Sequence, residues 1–274
     1  MKLKVGKIPY LNSVLFYRGM ESNPETAARL QFVPMVPSNL SAAAAAGQID
    51  AGPVPLVTSF ELSDSYEPLD DLCIATLDEA RSILFFSKKP VEALGHSRVG
   101  ITHETSTSVR LLKALLAQHY SVTSAVFVPE GEPNDAFLLI GDSALRRRDG
   151  CEGYPYITDL GEVWHDVTGL PFVFAVWMVR KSLPGEQKSY LKEVVSASLN
   201  EGWAHFDAAV ADRIESIGMT NSQAREYLEG FSFRMGKDEH DAVARFKELD
   251  AVTRQSETSG VAPTGRAGTA EVAE

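Results

Sequence analysis

The apolar run LPFVFAVWMV at residues 170–179 decides which fold this sequence predicts. It is far shorter than the roughly 20 apolar residues that a membrane-spanning helix needs. Its aromatic and β-branched side chains are typical of a buried strand. Short apolar runs alternate with amphipathic segments before it, whereas the chain after about residue 182 has a helical pattern, with no strand signal beyond the short run FSFRM. A chain that builds one α/β lobe, crosses to a second lobe and returns through such a strand has a two-lobed architecture.

Strand and helix patterns alternate along the first two thirds of the chain. The clearest helix is expected at residues 105–120, where apolar residues recur at i, i+3 and i+4. Another is expected from residue 37, capped by Ser38 or Asn39. The other strand candidates are the runs LKVGKI, LQFVP, AGPVPLV, SILFFS, RVGIT, AVFVP and AFLLIG. This alternation predicts an α/β fold with mixed, mostly parallel sheets and a cleft between the lobes.

The division into lobes follows from where the pattern changes. We expect the first lobe to contain residues 1–90 and 177–255, including the C-terminal helices, and the second lobe to contain residues 91–176. Residues 256–274 are rich in Gly, Pro, Thr and Ala without apolar periodicity, which predicts a disordered tail. Ligands of such folds bind in the crevice at the carboxyl ends of the strands.

Composition and charge exclude several classes of protein. With 274 residues, 44% hydrophobic and 23% charged, the chain reads as a soluble globular protein. The formal net charge of -11 and the lack of a Lys/Arg block argue against a nucleic-acid partner. The N-terminal segment lacks the apolar run and cleavage site of a signal peptide, which predicts a cytoplasmic protein with no membrane association.

No cofactor or metal site can be read from the sequence. Cys73 and Cys151 are far apart, with no CxxC pair and no histidine at ligand spacing. The nucleotide motifs GxGxxG and GxxxxGKS/T are absent, as are paired carboxylates or a Ser/His/Asp set at readable spacing. His103 is expected at the surface where a helix begins. An anionic ligand would then be held by backbone amides, hydroxyls and helix N-termini.

Polar residues at the strand ends are the candidates for such a site. Asn12 directly follows the first strand, where an asparagine either forms a turn or faces a ligand. Ser82 begins the strand SILFFS and could equally be an ordinary edge residue. Gly141 and Asp142 end a buried strand, and Asp142 either caps the next helix or contacts a substrate.

Four hydroxyl residues crowd the start of the helix at 105–120. Thr105, Ser106, Thr107 and Ser108 follow a predicted strand. Free N–H groups, hydroxyls and the positive end of the helix dipole together form a carboxylate or phosphate site. A single Ser or Thr is enough for an N-cap, so four in succession favour ligand binding.

Taken in order, these motifs resemble the chorismate dehydratases of the futalosine route to menaquinone. The matching pieces are VGKIPYLNS at 5–13, GQIDAGPVPLV at 47–57, RSILFFS at 81–87, TSTSVRLLKALL at 105–116, LLIGDSAL at 138–145 and GYPYITDLGEVWHDVTGLPFVFAVWMVR at 153–180. The resemblance implies a type II periplasmic-binding-protein-like fold and a carbon-oxygen lyase that removes water from chorismate without a cofactor. One difference is Leu15, which stands where relatives commonly have proline.

The resemblance also implies roles for individual residues. It places the family's important Asn on Asn12 and its important Ser on Ser82. We expect these two residues to be catalytic and to orient the reacting carbon and the leaving hydroxyl by hydrogen bonds. We expect the rest of the substrate site to be formed by Thr105, Ser106, Thr107, Ser108, Gly141, Asp142, Tyr154 and Phe172. The sequence leaves open whether Tyr154, Tyr156 or Phe172 touches the substrate ring. The proton acceptor is left open between substrate, water and protein.

Two other functions remain as alternatives. The same fold supports a solute-binding or sensory protein for a small carboxylate, because fold alone does not determine function. The sister enzyme 1,4-dihydroxy-6-naphthoate synthase shares the fold, but the histidine and aspartates that usually follow its first strand are not found in IPYLNS. The sequence leaves open whether the protein is a monomer or a dimer.

Overall fold

The computed structural model describes residues 2–259. Its strands are β1 (Leu3–Lys7), β2 (Leu30–Pro34), β3 (Ala51–Pro55), β4 (Tyr66–Thr76), β5 (Ile83–Ser87), β6 (Arg98–Ile101), β7 (Val126–Pro129), β8 (Ala136–Ile140), β9 (Tyr156–Asp159), β10 (Phe172–Arg180) and β11 (Phe231–Arg234). Its α-helices are α1 (Arg18–Ser22), α2 (Pro24–Arg29), α3 (Pro37–Ala45), α4 (Leu56–Glu61), α5 (Thr107–Gln118), α6 (Gly141–Leu145), α7 (Leu160–Thr168), α8 (Gly185–Ala204), α9 (Phe206–Ile217), α10 (Asn221–Glu229) and α11 (Lys237–Ser259). Short 3-10 helices cover Leu11–Phe16 and Val91–Ala93.

The strands within residues 2–259 form two mixed sheets, each the centre of one lobe. The order is β11-β4-β10-β3-β1-β2 in the first sheet and β7-β6-β8-β5-β9 in the second. Strand β1 runs parallel to β2 and β3, and β6 runs parallel to β7 and β8. The other five pairs are antiparallel. The predicted two-lobed α/β fold with mixed sheets is thus confirmed, although parallel pairs are not the majority, because the strands flanking the crossings between lobes run antiparallel.

Two strands were not predicted from the sequence. Strand β4 contains Pro68 and Asp70, and these residue types are depleted in strands. The pairing of β4 with β10 shifts register there, and Asp70 has a positive φ of 59°. Strand β9 is a short edge strand with exposed side chains at Tyr156 and Ile157. Neither strand has the continuous apolar pattern of the others.

The chain crosses between the sheets twice, once between β4 and β5 and once between β9 and β10. Both crossings come earlier in the chain than the lobe boundaries that we expected at 90/91 and 176/177. The division of the chain into domains remains a prediction. Helix α11 extends to Ser259, so residues 256–259 of the expected tail are helical. Residues 260–274 lie outside the described part of the chain.

The start of α3 differs from the expected cap. The N-cap residue is Val36, and no side chain caps the helix. The Ser38 hydroxyl instead donates to the carbonyl of His103 at 2.6 Å, and the Ser38 N–H donates to the carbonyl of Glu104. These two bonds join a helix of the first lobe to the loop before α5 in the second lobe.

The core is continuous across both lobes. One cluster of buried apolar side chains includes Val54 of the first sheet and Leu138 of the second. Within it, the Phe172 ring lies 5.2 Å from the Trp164 ring and 5.0 Å from the Phe246 ring, centroid to centroid. Such close packing resists deformation, so the elements around the cleft have rigid support.

Candidate active site

The candidate site is a cavity between the two lobes with about 470 Å³ of empty space, including the part open to solvent. It lies beyond the carboxyl ends of β1, β3, β6 and β8, where ligands of open α/β sheets bind. Its walls combine apolar side chains with a few polar groups. The lining residues are Ile8, Tyr10, Asn12, Pro37, Pro55, Ile74, Ile83, Ser106, Thr107, Ser108, Ile140, Gly141, Phe174 and Ala175.

Asn12 lies in the 3-10 helix that directly follows β1, and its side chain lines the cavity. The residue is buried, and its Oδ1 has no hydrogen-bond partner among the described residues. A buried polar atom without a partner calls for an explanation. A ligand that offers a donor would satisfy it.

The loop that carries Asn12 is held from the second lobe at two points. The backbone N–H of Leu11 donates to Asp142 Oδ1 at 2.8 Å, and the Tyr10 hydroxyl donates to Glu104 Oε2 at 2.8 Å. Ser13 closes the loop on itself by donating to the carbonyl of Ile8 at 2.6 Å. The residues on both sides of Asn12 are therefore fixed, and such preorganisation favours binding and catalysis.

Helix α5 presents its N-terminus to the cavity. Its N-cap residue is Ser106, whose side chain accepts no capping bond. The capping hydroxyl is that of Thr105, which accepts from the N–H of Val109 at 3.2 Å. The Thr107 hydroxyl donates to the carbonyl of Phe174 at 3.2 Å. The first N–H groups of a helix have no acceptor within it, so those of Thr107 and Ser108 are available to an anion.

Gly141 brings the backbone of the second lobe against the Tyr10 ring. Its φ is +57°, and a Cβ at this position would lie 2.6 Å from a Tyr10 ring carbon. Both the left-handed conformation and the close contact therefore require glycine. The N–H of Gly141 donates to the carbonyl of Ser82 at 2.8 Å, which joins this corner of the cavity to the start of β5.

Asp142 is directed at the Asn12 loop and does not line the cavity. Its Oδ1 accepts from Leu11, its Oδ2 has no hydrogen-bond partner within residues 2–259, and Arg213 lies 3.6 Å from Oδ2. Burial raises the pKa of this carboxyl, while the Leu11 bond and Arg213 act in the opposite direction. The residue is in the first turn of α6, whose N-cap is Ile140, so the alternative of an Asp142 cap is wrong.

Ser82 is fully buried at the edge of the site. Its hydroxyl donates to the carbonyl of Ala80 at 3.2 Å and accepts from the Tyr227 hydroxyl at 2.8 Å. Its neighbour Ile83 lines the cavity, but Ser82 itself does not. The role that we expected for Ser82 remains a prediction.

Two aromatic candidates lie away from this cavity. The Tyr154 hydroxyl donates to Asn134 Oδ1 at 2.8 Å, and both residues line a separate cavity in the second lobe. Phe172 is buried in the aromatic core. Of the aromatic residues of β10, Phe174 lines the cavity, at a position where the pairing of β10 with β4 shifts register.

The expected site did not include Tyr10, Phe174 or Tyr227. Tyr10 and Phe174 lie next to quoted candidates, so the motif IPYLNS and the aromatic run around Phe172 contained the signal. Tyr227 lies on α10, in a region without a motif, and nothing in the sequence indicated it. His103, by contrast, is exposed beside Glu130, as expected.

Residues 2–259 contain no group of three or more His, Cys, Asp or Glu side chains placed to hold a metal ion. None of the helices in that range is long and apolar enough to cross a bilayer. Cys73 and Cys151 are both free.

Comparison with known proteins gives a family and a fold. The model of a family described as menaquinone biosynthesis matches residues 3–251. The chain is 26% identical over 231 residues to a chorismate dehydratase from Thermus thermophilus, covering 78% of this chain and 84% of that protein.

A solved structure from Archaeoglobus fulgidus matches with a TM-score of 0.74 at 17% identity, over 94% of this chain and 98% of that chain. The periplasmic aliphatic sulphonate binding protein of Escherichia coli matches with a TM-score of 0.60 at 10% identity, over 96% and 94% of the two chains. The predicted periplasmic-binding-protein-like fold is confirmed.

Proposed function

The chain belongs to the menaquinone biosynthesis family, and on that basis we propose that it is a chorismate dehydratase, a hydro-lyase that converts chorismate to 3-(1-carboxyvinyloxy)benzoate and water. The family model spans residues 3–251, and the relative from Thermus thermophilus carries this name. The observation that carries the proposal is the cleft cavity, where apolar walls meet Asn12 and the start of α5. A flat ring with a carboxylate at its edge suits this combination of surfaces.

The reaction removes a proton from the ring carbon that bears the ether and hydroxide from the neighbouring carbon, and the ring becomes aromatic. The departing proton is vinylogous to the ring carboxylate. Negative charge therefore builds on that carboxylate as the C–H bond breaks. Donors that point at this carboxylate stabilise the transition state more than the ground state, as an oxyanion hole does.

Helix α5 supplies these donors in the proposal. Thr107 and Ser108 line the cavity, their N–H groups have no acceptor within the helix, and the helix dipole favours negative charge there. The Thr107 hydroxyl is engaged with Phe174, so its backbone rather than its side chain is free to bind the carboxylate. In this scheme Thr105 supports the helix start through its cap on Val109.

The proton acceptor in the proposal is the enolpyruvyl carboxylate of the substrate itself. Among the described residues that line the cavity, none has a carboxylate, imidazole or amine side chain. Tyr10 lines the cavity, but burial and the nearby Glu104 raise its pKa, so it stays protonated. The enzyme then acts mainly by holding the substrate in a reactive geometry.

Asn12 and Ser82 have orienting roles in this scheme. Asn12 bonds the reacting part of the substrate with the amide that faces the cavity. Because Ser82 is buried and does not line the cavity, its hydroxyl can donate to a substrate oxygen only if substrate binding moves the start of β5 and breaks its 3.2 Å contact with the Ala80 carbonyl. Asp142 serves the loop that carries Asn12, through its bond to Leu11.

The test is to incubate the purified protein with chorismate and follow the products by mass spectrometry and ultraviolet absorbance. We expect a product lighter by one water, with aromatic absorbance rising at the same rate. Chorismate incubated alone is the control for spontaneous decay. Binding of chorismate without this product would overturn the enzyme assignment and favour a solute-binding protein.

A further inference from the structure

The hydroxyls of Ser82 and Tyr227 form a buried pair between helix α10 and the segment that crosses from β4 to β5. The exposed fraction is 0% for Ser82 and 3% for Tyr227. The Tyr227 hydroxyl lies 2.8 Å from Ser82 Oγ, and Ser82 Oγ lies 3.2 Å from the carbonyl oxygen of Ala80. Water therefore has no direct access to either hydroxyl.

The direction of these two bonds is fixed by the chemistry of the groups. The carbonyl of Ala80 can only accept, so Ser82 donates its single hydrogen there. The Ser82 oxygen must then accept from Tyr227. Burial raises the pKa of Tyr227, the bond to Ser82 acts in the opposite direction, and the charges of Asp142 and Asp159 add to the rise, so the hydroxyl stays protonated as a donor.

The segment that carries Ser82 is held from both sides. The Asp159 carboxylate of the second lobe accepts from the N–H of Ala80 at 3.0 Å and also from the N–H of Arg81. The Arg81 guanidinium bonds Glu226 at 2.8 Å, on the same helix as Tyr227. The Ala80 carbonyl and the Tyr227 hydroxyl are thus fixed points on either side of the Ser82 side chain.

This hydroxyl pair is connected to the cleft through the backbone. Ile83, the next residue after Ser82, lines the cavity. Gly141 also lines it, and its N–H donates to the Ser82 carbonyl at 2.8 Å. Ser82 is therefore joined through the backbone to two residues that line the cavity, and a substitution of its side chain acts at the cavity's edge.

We propose that Tyr227 is a positioning residue that sets the hydrogen-bond polarity of Ser82. Tyr227 occupies one of the two lone pairs of the Ser82 oxygen, and the Ser82 hydrogen is directed at the Ala80 carbonyl. A ligand oxygen that carries no hydrogen can bond to Ser82 only by taking that hydrogen from the Ala80 carbonyl. Chains of hydrogen bonds also polarise one another, so the Tyr227 bond makes Ser82 a stronger donor. The inference rests on the proposed function, in which Ser82 donates to an oxygen of chorismate.

The experiment is a double-mutant cycle with Tyr227→Phe, Ser82→Ala and the double variant, assayed with chorismate. We expect Tyr227→Phe to lower kcat about tenfold, the effect of one hydrogen bond on a barrier, with little change in KM. When Ser82 is already alanine, adding Tyr227→Phe should lower kcat hardly any further, because Tyr227 acts through Ser82.

Tyr66→Phe is the matched control. Tyr66 is as buried as Tyr227 and donates to the carbonyl of Ile49 at 2.7 Å, away from the cleft. If Tyr227 had only a structural role, Tyr227→Phe and Tyr66→Phe would both have a lower Tm and would have the same kcat. Equal kcat values, or a full tenfold loss in the Ser82→Ala background, would overturn the inference and leave the proposed function intact. A wild-type protein that does not turn over chorismate would overturn both.

A measurement on the wild-type protein covers the case in which Tyr227→Phe does not fold. A buried, bonded hydroxyl proton exchanges slowly and can be observed by NMR. We expect the Tyr227 hydroxyl proton to be visible close to the Ser82 β protons and to persist when chorismate is added. Rapid exchange of this proton, or its loss on adding chorismate, would overturn the inference.

Discussion

The backbone N–H of Leu11 in the first lobe donates to the carboxylate of Asp142 in the second lobe, at 2.8 Å. The bond spans the cleft and fixes the residue that immediately precedes Asn12. Its acceptor lies 131 positions further along the chain. It links the end of a strand in one lobe to the start of a helix in the other.

Replacing Asp142 by alanine should release the Asn12 loop. The buried N–H of Leu11 would lose its acceptor, at a cost of about 1–3 kcal/mol in the free energy of unfolding. We expect kcat/KM for chorismate to fall about tenfold or more, because a misplaced catalytic group is costly. Asp142→Asn is the control, since it keeps an oxygen for Leu11 and should retain most activity. Equal activity of the two variants would contradict this role.

The stability of the protein should depend on pH through Asp142. Burial raises its pKa above the ordinary value of 3.8. The folded state therefore holds this proton more tightly than the unfolded state, and the resulting stability is lost as pH rises through the folded pKa. Between about pH 4 and about pH 7, the Tm of Asp142→Asn should rise relative to that of wild type. If the Tm of Asp142→Asn instead falls relative to wild type as pH rises, the attraction of Arg213 for the ionised carboxylate outweighs the effect of burial on the pKa of Asp142.

Gly141→Ala should lower the stability of the protein more than the same substitution at another glycine with a positive φ. An alanine in the left-handed conformation costs about 1–2 kcal/mol, and overlap with the Tyr10 ring should add about 1–3 kcal/mol. Gly169→Ala is the matched control, because Gly169 has a φ of +68° and nothing within 4 Å of an added Cβ. Chemical denaturation of both variants measures the difference. Equal losses of stability would show that the Tyr10 contact is relaxed.

Asn12→Ala should separate activity from stability. The Oδ1 of Asn12 has no partner among the described residues, so we expect less than about 1 kcal/mol of lost stability. We expect kcat/KM to fall about a hundredfold, as for loss of one oriented group in an active site.

The control for Asn12 is another asparagine. Asn23 caps α2 by accepting from the N–H of Glu25 at 2.9 Å. Asn23→Ala should therefore lower stability by about 1 kcal/mol while leaving turnover unchanged. An Asn12→Ala variant with normal turnover in a folded protein would remove this residue from the proposed site.

Several parts of the site could be predicted from the sequence because they depend on local structure. Asn12 and Gly141 each follow a strand with a clear apolar pattern, one in each sheet, and ligands of such folds bind at the carboxyl ends of the strands. Ser106, Thr107 and Ser108 begin a helix with clear periodicity. All five residues line the same cavity.

Other parts could not be predicted, since they depend on irregular pairing. Phe172 and Phe174 look equivalent in the sequence, two positions apart in one strand. Between Val173 and Ala175 the register of β10 on β4 shifts, and this irregularity accompanies the presence of Phe174 in the cavity. Tyr154 lies in the separate cavity of the second lobe because its hydroxyl binds Asn134.

The sequence by itself determined the alternation of strands and helices, the two-lobed fold and the strand ends that meet at the cleft. These features follow from the periodicity of apolar side chains and the chemistry of turns, which act over a few residues. Only the tertiary structure decided the partners of the buried polar groups: Asp142 with Leu11, Tyr10 with Glu104, and Ser82 with Tyr227. A buried polar atom must find a partner wherever packing places one. That choice depends on residues about a hundred or more positions apart, which no local pattern encodes.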